Sequence, residues 1–222
     1  MSLKRVTIHS VHDRGPQGRL PKPGKGPYEG VPRTREELPR FWADHQLDVG
    51  AEVGVYMAGF SMHILNSEPR IRKLYSIDQW CDFEGVTVDR ILNGARKNLA
   101  PFGERSEIVH LPSIEASRLF KNDSLDFLYL DADHDHDPVQ QDLIHWWPKI
   151  KAGGCLAGHD YRSGGCSRCN TMVKKGDPRG MGRCDVERAV NEFFGDLGVE
   201  VHKICQPPDN SFYCLKGRGE IK

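Results

Sequence analysis

Between Phe127 and Tyr161 the chain reads FLYLDADHDHDPVQQDLIHWWPKIKAGGCLAGHDY, with aspartates at 131, 133, 135, 137, 142 and 160 and histidines at 134, 136, 145 and 159. Carboxylates and imidazoles this dense can move a proton near neutral pH or hold a divalent cation. Their spacing carries more than their number. The short apolar run Phe127 to Leu130 stops at Asp131, and a second run, Cys155 to Ala157, stops at His159 and Asp160. Val139 to Trp147 between them has helical periodicity. A strand, helix, strand unit of this kind lines up Asp131, Asp133, His134, His159 and Asp160 where the carboxyl ends of parallel strands hold ligands. His134, and after it His159, are the candidate general bases, although a strand-end histidine can equally serve only to bond the backbone. Asp142, on the helix, reads as a surface or capping residue.

The rest of the chain supplies the elements that would position these groups. Thr34 to His45 reads as a short helix with Thr34 as cap and Glu37 completing a capping box. Val49 to Val55 then reads as a buried strand, Phe60 to Asn66 as a helix, Leu74 to Ile77 as a strand and Val86 to Leu99 as an amphipathic helix. Glu107 to Leu111 is a third strand and Ile114 to Phe120 a short helix. After the strand, helix, strand unit, a helix is expected at Asp185 to Leu197 and strands at Val199 to Ile204 and Ser211 to Leu215. Alternation of this kind predicts an α/β fold, a doubly wound and mostly parallel sheet. The last two strands, joined by a short turn, should pair antiparallel at one edge. The expected organisation is an arm with a short helix over residues 1–47 and one domain over 48–222.

Small residues crowd the turn after the first strand, in Glu52-Val53-Gly54-Val55-Tyr56-Met57-Ala58-Gly59-Phe60-Ser61. Glycine there permits close approach of a ligand, and the helix start offers free N–H groups. Asp78 closes the second strand about twenty residues further on, where an acid can accept bonds from ribose hydroxyls. Glycines at such turns also occur for steric reasons alone.

With EVGVYMAGFS, YSIDQW and DADHDHDPVQQDLIHWWPKIKAGGCLAGHDY in view, the chain from about Val49 to Tyr161 resembles a class I S-adenosylmethionine-dependent methyltransferase. It is closest in pattern to the small-molecule group that reads approximately EvGvyrGgfS, yaiDpW and DadHsYeavkaDlelWwpklkpGGilaGHDY. The resemblance implies a Rossmann-like seven-stranded sheet with the last strand inserted antiparallel. It implies that Glu52, Gly54 and the turn to Gly59 contact the methionine part of S-adenosylmethionine, Asp78 the ribose, Ser113 and Ile114 the adenine edge, and Asp131 the methionine ammonium or a metal. The sequence departs from the group at Tyr56 and Ala58 and at Asp135-His136-Asp137, where a tyrosine is usual.

Metal-dependent O-methyltransferases resemble this chain in placing acidic ligands after the fourth and fifth strands. Asp131 and Asp160 match those places, with His159 beside them, a set suited to magnesium, calcium or manganese. Cys166 and Cys169, with Cys184 and Cys155, carry part of the spacing of a structural zinc site, with a disulfide or free thiols as the other readings. The same stretch, residues 162–184, is glycine-rich and basic, with Arg162, Arg168, Lys174, Lys175, Arg179 and Arg183 against Asp177 alone. Together with an arm in which residues 1–40 hold nine basic and four acidic side chains, it would attract an anionic acceptor.

Across its 222 residues the chain balances 31 basic against 31 acidic side chains, so no overall field points to nucleic acid. The basic stretches also contain few aromatics for stacking on bases. No apolar run approaches the roughly 20 residues that span a bilayer, and the start lacks a secretion signal's apolar core, so a cytoplasmic protein is expected. Seven cysteines cannot all pair within one chain. The expected function is methyl transfer from S-adenosylmethionine to a hydroxyl of a small polar acceptor such as a sugar or secondary metabolite; a homo-oligomer is compatible with this. Two rivals are a cofactor-binding subunit without turnover and a nicotinamide-dependent oxidoreductase, the latter opposed by the incomplete G-x-G-x-x-G turn.

Overall fold

The computed structural model describes residues 30–83, 85–162, 184–204 and 210–217. Seven strands form one sheet: β1 (Val49–Val53), β2 (Lys73–Asp78), β3 (Ser106–His110), β4 (Leu125–Leu130), β5 (Ile150–Gly158), β6 (His202–Ile204) and β7 (Ser211–Leu215). Their order is β3-β2-β1-β4-β5-β7-β6. β1 to β5 pair in parallel, while β7 lies antiparallel between β5 and β6. The expected doubly wound sheet with an antiparallel pair at one edge is the observed one.

Side-chain alternation along each strand separates two cores. Leu128, Leu130 and Leu156 face one side, beneath α4 (Ser113–Ser117), α5 (His136–Trp146) and α6 (Val186–Asp196). Phe127, Tyr129, Cys155 and Ala157 face the other, beneath α1 (Leu38–Asp44), α2 (Gly59–Ser67) and α3 (Val88–Leu99). In α3 the buried residues Ile91, Leu92, Ala95 and Leu99 recur at helical spacing, which fixes its inward face. Trp42 of α1 stacks on Phe127, ring centroids 4.2 Å apart. Phe127 in turn fills the space over Gly50, where a Cβ would lie 2.4 Å from its ring.

Several boundaries differ from the sequence reading. β5 begins at Ile150, which pairs with Leu125 of β4, and the polar, glycine-bearing stretch Lys151 to Gly154 spans the register shift before Cys155 pairs with Phe127. β6 starts at His202 instead of Val199. The capping box is not formed: Thr34 makes no side-chain cap, and Glu37 instead accepts the Arg33 backbone N–H at 2.8 Å.

The strand order reverses between β1 and β4, so their carboxyl ends flank a topological switch point. A crevice there is where an open α/β sheet binds its ligand.

Candidate active site

Two strand ends and one glycine turn build the site. Asp131 donates its N–H to Val53 O at 2.8 Å, and Gly54 donates to Ile77 O at 2.9 Å, so the backbones leaving β4 and β1 run side by side. Gly54 has φ +90°, and a Cβ there would stand 2.1 Å from Asp131 O. Only glycine fits both the backbone and the gap. From β5, His159 donates its N–H to Leu130 O at 2.9 Å, which brings His159 and Asp160 beside Asp131. Asp160 has φ +50°, in the left-handed region that aspartate tolerates better than most residues.

At the meeting point Asp160 Oδ2 lies 3.1 Å from His134 Nε2 and 3.2 Å from His159 Nδ1. Arg162 bonds its other oxygen. Asp131 Oδ1 lies 3.7 Å from His159 Nδ1 and 4.0 Å from His134 Nε2, and its Oδ2 lies 3.9 Å from Arg35 Nη1. Burial alone would raise the pKa of Asp160, but hydrogen bonds from His159 and Arg162 and the two neighbouring imidazoles hold it well below the usual carboxylate range. Asp131 moves the other way, because burial and the Asp160 charge outweigh His159, His134 and Arg35. For His159 burial disfavours the imidazolium, yet the bond to Asp160 and the Asp131 charge raise its pKa above the ordinary value. One permanent carboxylate, Asp160, is thus flanked by two imidazoles.

The glycine-turn side is organised around two acids. Glu52 is buried in β1, bonded to Ser61 of α2, whose hydroxyl is 2.9 Å from that of Ser76. Burial pushes its pKa up to about 8, against the Ser61 bond. Asp78 accepts N–H bonds from Val55 at 2.8 Å, Tyr56 at 2.9 Å and Trp80 at 2.7 Å. Those bonds hold the turn with Tyr56 at φ +51° and Ala58 at φ +64°. Tyr56 and Ala58, the two departures from the resembled pattern, therefore adopt glycine-like backbone. Gly59 opens α2 with nothing within 4 Å of a Cβ built on it.

Other candidates fall differently. Ser113 does not present its hydroxyl to the crevice: it donates to Asp142 and accepts from Trp146 Nε1 at 2.9 Å. Ser113 and Ile114 are the first two residues of α4, so Ser113 is left its backbone for an adenine edge. Asp142 corrects the sequence reading. It is buried, not on the surface, and burial pushes its carboxyl up to about 6. The signal was present, since Val139, Asp142 and Trp146 recur at helical spacing on the buried face of α5. Together with Asp131, His134, Val139 and His159, Asp142 lines a cavity at the end of β4.

For a metal, Asp131, His134 and Asp160 each offer a ligand atom within 4.8 Å of the others. His134 joins the two aspartates of the expected set, and His159 stands against the same Asp160 oxygen. The four-cysteine arrangement is not available as expected. Cys166 and Cys169 lie outside the described residues, while Cys155 and Cys184 belong to cores on opposite faces of the sheet. Burial pushes the Cys155 thiol up to about 12, which disfavours the thiolate a metal requires. Arg35 is the group that sequence reading missed. It lies in a 3-10 turn before α1, where nothing in the local pattern points to a strand end.

A doubly wound sheet with its antiparallel strand between β5 and β6, a glycine turn after β1 and an acid ending β2 defines a nucleotide-cofactor protein. The family model described as "Methyltransferase domain" matches residues 47–161, more than half of the chain, and the chain belongs to that family. It is an S-adenosylmethionine-dependent methyltransferase. Among solved structures it is similar to the O-methyltransferase from Bacillus cereus in complex with S-adenosylhomocysteine, at 15% identity over 89% of this chain and 84% of that one, TM-score 0.57. The O-methyltransferase TomG from Streptomyces achromogenes, involved in tomaymycin synthesis and solved with S-adenosylmethionine, is similar at 14% identity over 82% and 78%, TM-score 0.57. At these identities the likeness is one of fold. No curated protein sequence matches the chain.

The residues present fit the family's cofactor. Gly54 keeps the crossing of β1 and β4 free of side chain, and Asp78 has about four acceptor positions of which the three N–H bonds leave about one for a ribose hydroxyl. Among the described residues no helix is long and apolar enough to cross a membrane.

Proposed function

We propose that this methyltransferase methylates a hydroxyl oxygen of a small polar acceptor, with His134 as the base that takes the hydroxyl proton. S-adenosylmethionine supplies an electrophilic methyl group on a sulfonium, and the chain must hold donor and acceptor in line. Glu52, Gly54 and Gly59 border the methionine part, Asp78 takes a ribose hydroxyl, the backbone of Ser113 and Ile114 meets the adenine, and Asp131 faces the ammonium. The observation that carries the reading is the contact of His134 Nε2 with Asp160 Oδ2 at 3.1 Å. An Nε2–H donated to Asp160 leaves the lone pair on Nδ1, and a carboxylate that stays ionised stabilises the imidazolium formed when Nδ1 takes a proton. His159, whose imidazolium burial disfavours but the same carboxylate favours, stands beside the site. The basic arm and the basic 162–184 stretch favour an anionic acceptor such as a sugar acid or phosphorylated metabolite.

A second reading rests on the convergence of Asp131, His134 and Asp160. A magnesium, calcium or manganese ion held there would acidify the acceptor hydroxyl directly. The two readings exclude each other at His134 Nε2, which cannot both donate a proton to Asp160 and ligate a metal. Methyl-labelled S-adenosylmethionine supplied with a panel of sugars, sugar acids, phenols, amines and thiols tests the proposal. Label should enter an ether oxygen of at least one acceptor; label confined to nitrogen or sulfur acceptors would overturn it.

A further inference from the structure

Arg35 is the first residue of a 3-10 turn that precedes α1, far in sequence from either strand end. Three contacts place it over the methionine end of the crevice. Its guanidinium stands 5.3 Å from the Phe60 ring centroid, at the first turn of α2. Its Nη1 lies 3.9 Å from Asp131 Oδ2. The turn that carries it is tied to α2 by His63 Nε2, 2.9 Å from Glu36 O. A guanidinium and a carboxylate this close, side by side at the mouth of a crevice, match the two charges of an α-amino acid with opposite sign: the carboxylate takes the ammonium and the guanidinium takes the α-carboxylate.

We propose that Arg35 binds the α-carboxylate of the cofactor's methionine moiety and so makes the enzyme selective for an amino-acid-bearing adenosyl ligand. The assignment rests on the proposed placement of that moiety over Glu52, Gly54 and Asp131. Arg35 is suited to the task in two ways. Phe60 packs against the guanidinium and limits its freedom before the ligand arrives, and the planar fork can take both carboxylate oxygens. The Arg35 Nε also donates to Glu36 Oε1 at 3.3 Å, so an ammonium that neutralises Asp131 removes one of the guanidinium's anionic neighbours and favours a new anion at that side.

The test is a calorimetric comparison of two ligands, S-adenosylhomocysteine and its decarboxylated form, which keeps the amine and lacks only the carboxylate. Wild type should prefer S-adenosylhomocysteine. Arg35→Gln should lose about tenfold or more in affinity for S-adenosylhomocysteine, as expected for loss of a charge-assisted bond, with decarboxylated ligand bound within about twofold of wild type. That unchanged binding also reports an intact fold. Arg35→Lys should recover part of the preference, since the charge returns without the fork. An equal loss for both ligands, or no loss for either, overturns the assignment while the proposed function stands. Wild-type protein that binds neither ligand overturns both.

Discussion

His134 leaves the end of β4 and Asp160 leaves the end of β5, yet His134 Nε2 and Asp160 Oδ2 meet at 3.1 Å. The pairing depends on parallel strands in register, Leu130 beside Gly158, which carry both residues to the same edge of the crevice. Replacing His134 by alanine should therefore slow methyl transfer by about 10²- to 10⁴-fold, the range for loss of a general base. Binding of S-adenosylhomocysteine should change by no more than about twofold. Full activity of His134→Ala on an identified acceptor would remove the residue from proton transfer.

The proton-transfer reading also makes the reaction independent of added metal. After dialysis against a strong chelator, the rate should stay within about twofold of the untreated enzyme. A rate that collapses and returns with magnesium or manganese would reassign Asp131, His134 and Asp160 as metal ligands.

Glu52 gives a pH signature of its own. A buried acid whose pKa rises from 4.5 to about 8 keeps its proton in the folded state where the unfolded chain has released it. The Glu52 contribution to wild-type stability accordingly falls as pH rises from about 4.5 to about 8 and stays depressed above that. Glu52→Gln, of the same shape and without the titration, should melt close to wild type at pH 5 and about 5 °C or more above it at pH 9. His159, with its raised pKa, also loses its contribution as pH rises, but it does so in both proteins and cancels in the comparison. Asp160, with its lowered pKa, loses its contribution only in acid. A melting difference that does not change between pH 5 and pH 9 would contradict a neutral Glu52.

The two glycines of the cofactor turn should behave oppositely. Gly54→Ala forces a Cβ to 2.1 Å from the Asp131 carbonyl at a positive φ, so stability should drop by about 2 kcal/mol or more. Gly59→Ala enters open space at the start of a helix and should be neutral or stabilising by about 0.5 kcal/mol. Urea unfolding of both variants checks the contrast, and equal effects would contradict the close crossing of β1 and β4.

Much of this site was legible because it sits where apolar runs stop. Phe127 to Leu130 and Cys155 to Ala157 announce buried strands, and Asp131, His134, His159 and Asp160 follow within a few residues. Asp142 was misread although helical spacing placed it with Val139 and Trp146, because a carboxylate on a buried face is expected only where a partner such as Ser113 is available, and Ser113 is distant in sequence. Arg35 was illegible for a related reason. Its approach to Asp131 is set by how α1 and α2 pack, and no local pattern records that. The extent of β5 was hidden as well, since Lys151 to Gly154 cross a register shift in the strand without the apolar alternation that marks one.

The cofactor seat itself is tested most directly by titrating the protein with S-adenosylhomocysteine and, separately, with NAD in a calorimeter. The structure's glycine turn and Asp78 predict binding of about one S-adenosylhomocysteine per chain, weakened about tenfold or more in Asp78→Ala, and no heat from NAD. No heat from S-adenosylhomocysteine, or binding of NAD in its place, would contradict this account.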